Sequence, residues 1–300
     1  MKKILALALA AAMSLSLAAC GGGNNGNNGG AASSNKGASS SANQSAASGS
    51  QGDASTGGDA VSFGTPYNTI EDGVLRMATN CNFPPYEMSA DGEGVIQGYQ
   101  GIDIEIAVAL ADKLGLKLVI DDMDFTSALL AVQSNKADMS LAGLTYREDR
   151  DEVMDFSTSY ATGIQVVIVK DGSDIESVDD LEGKMIGTQM GTTGYIYASD
   201  TPENGGYGEE FVKGYENGGL AVQALVNGQI DAVIIDDGPA KEYVKANPGT
   251  HILDGAWVTE DYCLAVDEGN ATLLDALNTA LEEMINDGSI KTIVDKYITE

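Results

Sequence analysis

From about Val74 onward, short apolar runs alternate with apolar stripes at helical spacing. Val74-Leu75-Arg76-Met77-Ala78 reads as a buried strand. So do Leu116 to Ile120, Asp138 to Leu141, the β-branched Ile164 to Val169, Lys184 to Thr188 and Asp231 to Ile235. Between them, Ile102, Ile106, Ala109, Leu110 and Leu114 recur as one helix face, and Gly115 ends that helix. Phe125 to Gln133 and Ala221 to Val226 read as short helices. Leu274, Leu277, Leu281 and Met284 line a longer one, and Ile290, Ile293, Val294 and Tyr297 a last one. Ser177-Val178-Asp179-Asp180 has the form of a capping box. Strands alternating with helices predict an α/β fold of mostly parallel sheets flanked by helices. A core of roughly 74–300 exceeds the usual single-domain size, which predicts two lobes.

The residues before this core have a different texture. Lys2 and Lys3 precede an apolar run from Ile4 to Leu17, closed by Leu17-Ala18-Ala19-Cys20. The run is short for a membrane span and ends at a small-residue cleavage site, as in an export signal. Leu-Ala-Ala-Cys resembles a bacterial lipobox, which implies removal of residues 1–19 and lipidation of Cys20. Residues 20–60 then form a tether of Gly, Asn, Ser and Ala with nothing to bury. Its root-mean-square reach is on the order of 35 Å, enough to hold a globular head off a membrane.

The formal charge is −29, from 16 Lys and Arg against 45 Asp and Glu. Nucleic acid is excluded as a partner, because phosphate binding needs clustered cations. The one histidine, His251, falls in a predicted loop, so no Ser/His/Asp set is expected. No CxxC or Cys/His cluster suggests a metal, and no cofactor is expected. Export permits a disulfide, but the sequence leaves open whether Cys81 and Cys263 pair.

Three places carry candidate chemistry. Ala142-Gly143-Leu144-Thr145-Tyr146-Arg147-Glu148-Asp149-Arg150 begins where a buried strand ends, the usual ligand position in α/β sheets. A glycine, a hydroxyl and a guanidinium there suit a carboxylate. The same residues also suit a surface loop whose arginines pair with Glu148, Asp149 or Asp151. Gly187-Thr188-Gln189-Met190-Gly191-Thr192-Thr193-Gly194 is a strand end, a glycine turn and a helix start. Its free N–H groups favour an anion or serve a simple helix cap. The lysine of a phosphate loop is absent. Asp231-Ala232-Val233-Ile234-Ile235-Asp236-Asp237 carries an acid to a strand end, for an ammonium group or as a solvated turn.

In this order, with Ala78-Thr79-Asn80, Phe83-Pro84-Pro85-Tyr86-Glu87, Gly101-Ile102-Asp103 and Asp155-Phe156-Ser157, these segments resemble the amino-acid-binding branch of the bacterial extracellular solute-binding proteins. Those are the periplasmic-binding-protein-like receptors of ABC importers. The resemblance implies a two-lobed type II fold closing on its ligand like jaws. Lobe 1 would be 74–159 plus 263–300 and lobe 2 would be 165–258, with hinges near 160–164 and 259–262. It implies that Arg150 clamps the α-carboxylate of a free L-amino acid. Thr145 and the backbone of Gly143 would help, and Thr193 would add an N–H. Asp236 would take the α-ammonium, and Phe83 and Phe125 would wall the side chain. Asp103 is read as a structural helix-start residue.

The sequence departs from relatives at Asn80, where several binders of polar and basic amino acids carry an acid. Gln189 stands where others place lysine or an apolar residue, and Ile235 lies beside Asp236. A cationic side chain would lack its counter-ion at Asn80, and no spare basic group is visible for an acidic one. A neutral polar amino acid is therefore expected. The expected partners are that amino acid, an ABC permease and the membrane, reached through the lipid anchor. The expected location is the outer face of the cytoplasmic membrane, extracellular or periplasmic, and a monomer is expected. The enzyme alternative is a secreted dehydratase-like relative using Glu87 or Glu148 as an acid. A ligand sensor is a third reading, though no signalling segment follows the core.

Overall fold

The computed structural model describes residues 66–298. The expected export segment, Cys20 and the tether lie outside those residues. Among the described residues no helix is long and apolar enough to cross a membrane.

The first half of the core runs β1 (Val74–Thr79), a small ribbon of β2 (Asn82–Phe83), β3 (Glu87–Ser89) and β4 (Tyr99–Gln100), then α1 (Ile102–Leu114), β5 (Lys117–Asp122), α2 (Phe125–Gln133) and β6 (Met139–Ser140). A single turn, α3 (Glu148–Asp151), and β7 (Met154–Phe156) follow. Next come β8 (Ala161–Lys170), β9 (Ile186–Gln189), α4 (Thr193–Ser199), β10 (Val212–Tyr215), α5 (Gly218–Val226), β11 (Ala232–Asp236), α6 (Asp237–Ala246) and β12 (Thr250–Ile252). The chain closes with β13 (Val258–Tyr262), β14 (Ala265–Asp267), α7 (Ala271–Asn286) and α8 (Ser289–Tyr297).

Two main sheets result. One has the order β5-β1-β6-β14-β7. The other has β10-β9-β11-β8-β12, with β13 also on β8. The parallel pairing expected from βα alternation holds for β5-β1-β6 and for β10-β9-β11. The other strands are antiparallel, which makes both sheets mixed. The chain passes between the sheets twice, from β7 to β8 and from β13 to β14. The two passing strands pair with each other, Val258–Tyr262 against Ala161–Gln165. A strand that returns across the molecule has to run against its neighbour.

Helices fall where their apolar stripes require burial. Leu273, Leu277, Ala280, Leu281 and Met284 of α7 are buried, and burying each large side chain contributes about 1.5–3 kcal/mol. The buried stripe begins at Leu273; the expected Leu274 lies beside it, half-buried. The Asp124 carboxylate caps α2 by accepting the Ser127 N–H at 3.0 Å. The Ser177–Asp180 capping box forms, and opens a single 3₁₀ turn. Gly101 precedes α1 with φ 133, and a Cβ there would lie 2.1 Å from the Tyr86 carbonyl oxygen. Only glycine allows this approach, which lays the start of α1 against Tyr86 and Glu87. Cys81 and Cys263 are both buried free thiols, so the permitted disulfide is not made.

Candidate functional site

The carboxyl ends of β1, β6, β9 and β11 converge on one small cavity. All nine residues expected at the ligand line it: Asn80, Phe83, Phe125, Gly143, Thr145, Arg150, Gln189, Thr193 and Asp236. Glu87 and Thr192 line it too.

Arg150 reaches the cavity because α3 turns its side chain inward, 8% exposed. Its guanidinium donates to the Thr145 carbonyl (2.9 Å) and, on the other sheet's side, to the Gly191 carbonyl (2.9 Å). These occupy two of its five N–H donors. The others find no acceptor among the described residues and remain for an anion. Burial lowers its pKa to about 10. The surface-loop alternative describes Arg147 instead, which pairs with Asp149 at 2.8 and 3.0 Å. Phe125 lines the cavity and also lies under the Arg150 guanidinium, 5.6 Å from its ring centre.

Gly143 adopts φ 53, and a Cβ there would lie 2.5 Å from Phe83. Its N–H is donated to Asp103 at 2.8 Å. The help expected from the Gly143 backbone toward a carboxylate is therefore corrected: that donor is already used. Asp103 is a structural helix-start residue, as expected, and also accepts the Tyr160 hydroxyl at 2.9 Å.

On the second sheet, Thr192 caps α4 by accepting the Tyr195 N–H, so the helix-cap reading applies to it. Thr193 projects into the cavity, and its hydroxyl donates to Glu260 at 2.9 Å. Gln189 donates to the Asn80 side-chain oxygen at 3.1 Å, and Asn80 donates to the Met123 carbonyl at 2.7 Å. These two expected ligand residues therefore bond each other across the two sheets. Asp236, at the end of β11, is 6% exposed and not a solvated turn acid. Burial raises its pKa to about 7, although the Tyr262 hydroxyl donates to it and favours its charged form.

Two further acids matter at this cavity. Glu260 sits mid-way along β13, where one carboxylate oxygen accepts from Thr145 (3.3 Å), Gln165 (2.9 Å) and Thr193 (2.9 Å). The alternation of Val258-Thr259-Glu260-Asp261-Tyr262 puts it on the buried face, but an acid there gives no apolar signal. Glu87 is fully buried at the cavity wall, and neither carboxylate oxygen has a donor among the described residues. It entered the sequence reading only as a candidate catalytic acid, because its pocket position depends on Gly101 and Asp103. Glu148, the other candidate acid, is exposed and outside the cavity.

An arginine and a buried aspartate thus line one small cleft between the two sheets, opposite charges of the kind a small zwitterion could bridge. Residues 75–300 match the bacterial extracellular solute-binding proteins, family 3, and the chain belongs to that family. The chain is 30% identical over 227 residues to the arginine-binding extracellular protein ArtP of Bacillus subtilis, covering 75% of this chain and 86% of that one. It is also similar to an ancestral arginine-binding protein solved bound to glutamine, with 38% identity, TM-score 0.69, and 77% and 100% of the two chains covered. The same kind of ancestral protein bound to arginine gives 38% identity, TM-score 0.68, and 75% and 98% coverage. The family and these neighbours are solute-binding proteins, not enzymes.

Proposed function

We propose that this protein captures a free L-amino acid with a cationic side chain and delivers it to an ABC importer. One observation carries the reading. A single cavity is lined by a guanidinium from one sheet, a carboxylate from the other, and a second, unpartnered carboxylate at Glu87. The free N–H groups of Arg150 and the Thr193 backbone suit the α-carboxylate, and Asp236 suits the α-ammonium. Phe83 and Phe125 wall the aliphatic stem. The neutral polar preference rested on the missing acid at Asn80. Glu87 supplies that charge from β3, with two free oxygens matching a guanidinium fork. ArtP and one of the ancestral structures bind arginine by name, which supports the same choice.

In this reading the β8–β13 ladder is the hinge, near 160–164 and 259–262, and the two sheets belong to the lobes 74–159 plus 263–300 and 165–258. Residues 1–19 direct export and are removed, lipidated Cys20 anchors the protein, and the tether frees the head to meet the permease. A thermal-shift screen of the twenty amino acids plus cystine tests the ligand. Arginine at about 100 times its Kd adds roughly 2.7 kcal/mol of stability. A larger shift with glutamine, asparagine or cystine at equal concentration would restore the neutral polar reading. No shift with any amino acid would remove the function.

A further inference from the structure

Glu87 lies on β3 and Asp103 in the first turn of α1, and the close approach at Gly101 sets the two carboxyls against each other. Both residues are fully buried. Neither oxygen of Glu87, nor the free oxygen of Asp103, has a hydrogen-bond donor among the described residues. Buried polar atoms are almost always partnered, and two touching carboxylates away from water do not both ionise. A single proton between them joins one Glu87 oxygen to the free oxygen of Asp103 and leaves the second Glu87 oxygen open. The other oxygen of Asp103 accepts the Gly143 N–H and the Tyr160 hydroxyl. Those bonds favour charge on Asp103 and leave the proton on Glu87.

The surrounding groups agree. Glu87 is faced by Asp103 of α1, Asp236 of β11 and Asp122 of β5. Cys81 and Tyr86 flank it, with Tyr243 of α6 and Tyr160 beyond. None of them is a cation. Burial, then the Asp103 charge, hold Glu87 well above the usual carboxylate range, and burial puts Asp103 at about 6.

Resting on the cationic-ligand reading above, we propose that the empty cavity stores a proton on the Glu87–Asp103 pair, and that a cationic side chain replaces it. The proton leaves Glu87 for water as the ammonium or guanidinium arrives, so the charge around the pair is unchanged. A neutral side chain leaves the proton in place. The pair therefore couples ligand charge to proton release, and discriminates cationic from neutral ligands more strongly as pH rises. Asp236 titrates against the α-ammonium of every amino acid, so its contribution cancels between two ligands.

The test compares arginine with citrulline, which keeps the backbone and length but replaces the guanidinium with a neutral urea. Calorimetry of the purified protein in buffers of different ionisation enthalpy counts protons at pH 7. Arginine should release about one proton more than citrulline, and its affinity should rise about tenfold more per pH unit between pH 6 and 8. Glu87→Gln should remove arginine's extra proton. If that variant does not fold, the two-ligand comparison in the native protein still decides. Equal proton counts for two bound ligands would overturn the inference alone. If citrulline does not bind, arginine must release about one proton beyond the part that Asp236 accounts for at its pKa, and a smaller release overturns the inference. Failure of arginine to bind overturns the cationic reading and this inference with it.

Discussion

Asp236 gives the sharpest single perturbation, because its carboxyl is both the proposed ammonium partner and a buried group held near neutrality. Burial lifts it from an ordinary 3.8 to about 7. At pH 5 only about one carboxyl in a hundred is ionised, against about half at pH 7. The ammonium of the ligand needs the ionised form, so affinity for any amino acid should fall on the order of fiftyfold between pH 7 and pH 5. That corresponds to about 2 kcal/mol. Asp236→Asn should flatten this dependence and weaken binding at pH 7 by a charged hydrogen bond, about 1.5–3 kcal/mol. The ligand-free fold should respond in the opposite sense. A pKa raised on folding stabilises the protein at low pH, and that contribution is lost as pH rises from 3.8 through 7, up to about 4 kcal/mol. Asp236→Asn removes that loss, so its Tm without ligand should exceed the parent's at pH 8 and converge with it at pH 4. Calorimetry and thermal denaturation across pH measure both. A parent affinity for citrulline or glutamine that is flat from pH 7 to 5, with Asp236→Asn no more stable at pH 8, would refute the argument.

Arg150→Ala should weaken amino-acid binding by two decades or more, since it removes the proposed carboxylate clamp and the bond to Gly191; isotherms with circular dichroism to confirm folding decide, and near-normal affinity removes the clamp. Arg147 lies over the Tyr197 ring at 5.1 Å, and Tyr197 touches Trp257, the single tryptophan. Arg147→Ala should lower affinity about two- to fivefold, from a cation–π contact of about 0.5–1 kcal/mol. It should also change the Trp257 fluorescence response to ligand; an unchanged response means that the contact does not report closure. Cys20→Ala should release the protein into the medium or leave it unprocessed. Intact mass of membrane-extracted parent protein checks this, and a mature protein starting elsewhere without lipid mass defeats the anchor.

What was legible followed apolar periodicity and local caps. The helices α1 and α2 appear over the predicted Ile102–Leu114 and Phe125–Gln133, because each has an apolar stripe and a local stop or start signal at Gly115 or Asp124. The helix α6 was hidden because Gly238-Pro239 reads as a turn. Within the first helical turn, however, the proline's missing N–H costs nothing. Site residues at strand ends were visible, since an apolar run stopping at Asp236 or before Gly143 marks where a sheet delivers its side chains. Glu87 and Glu260 were not. Their burial depends on contacts with residues distant in sequence, Glu87 with Asp103 and Glu260 with Thr145, Gln165 and Thr193.

In the proposed reading, those two acids also bear on which ligand charge the cavity tolerates. Arg150 is the only cation among the residues lining it, while Glu87 and Asp236 line it and Glu260 bonds two of its lining threonines. An amino acid contributes one carboxylate and one ammonium through its backbone, which Arg150 and Asp236 answer. Any further charge must come from the side chain. A second carboxylate would meet Glu260 and the Glu87–Asp103 pair, which keeps one net negative charge even with its proton, and no remaining cation, a repulsion that solvent does not screen in a closed cleft. A cation meets an acid with two free oxygens. Acidic amino acids are thus expected to bind weakly, because of the same acids that would favour a basic one. The conclusion holds without an acid at Asn80, because Gln189 occupies that side chain and fixes it as a contact between the two sheets.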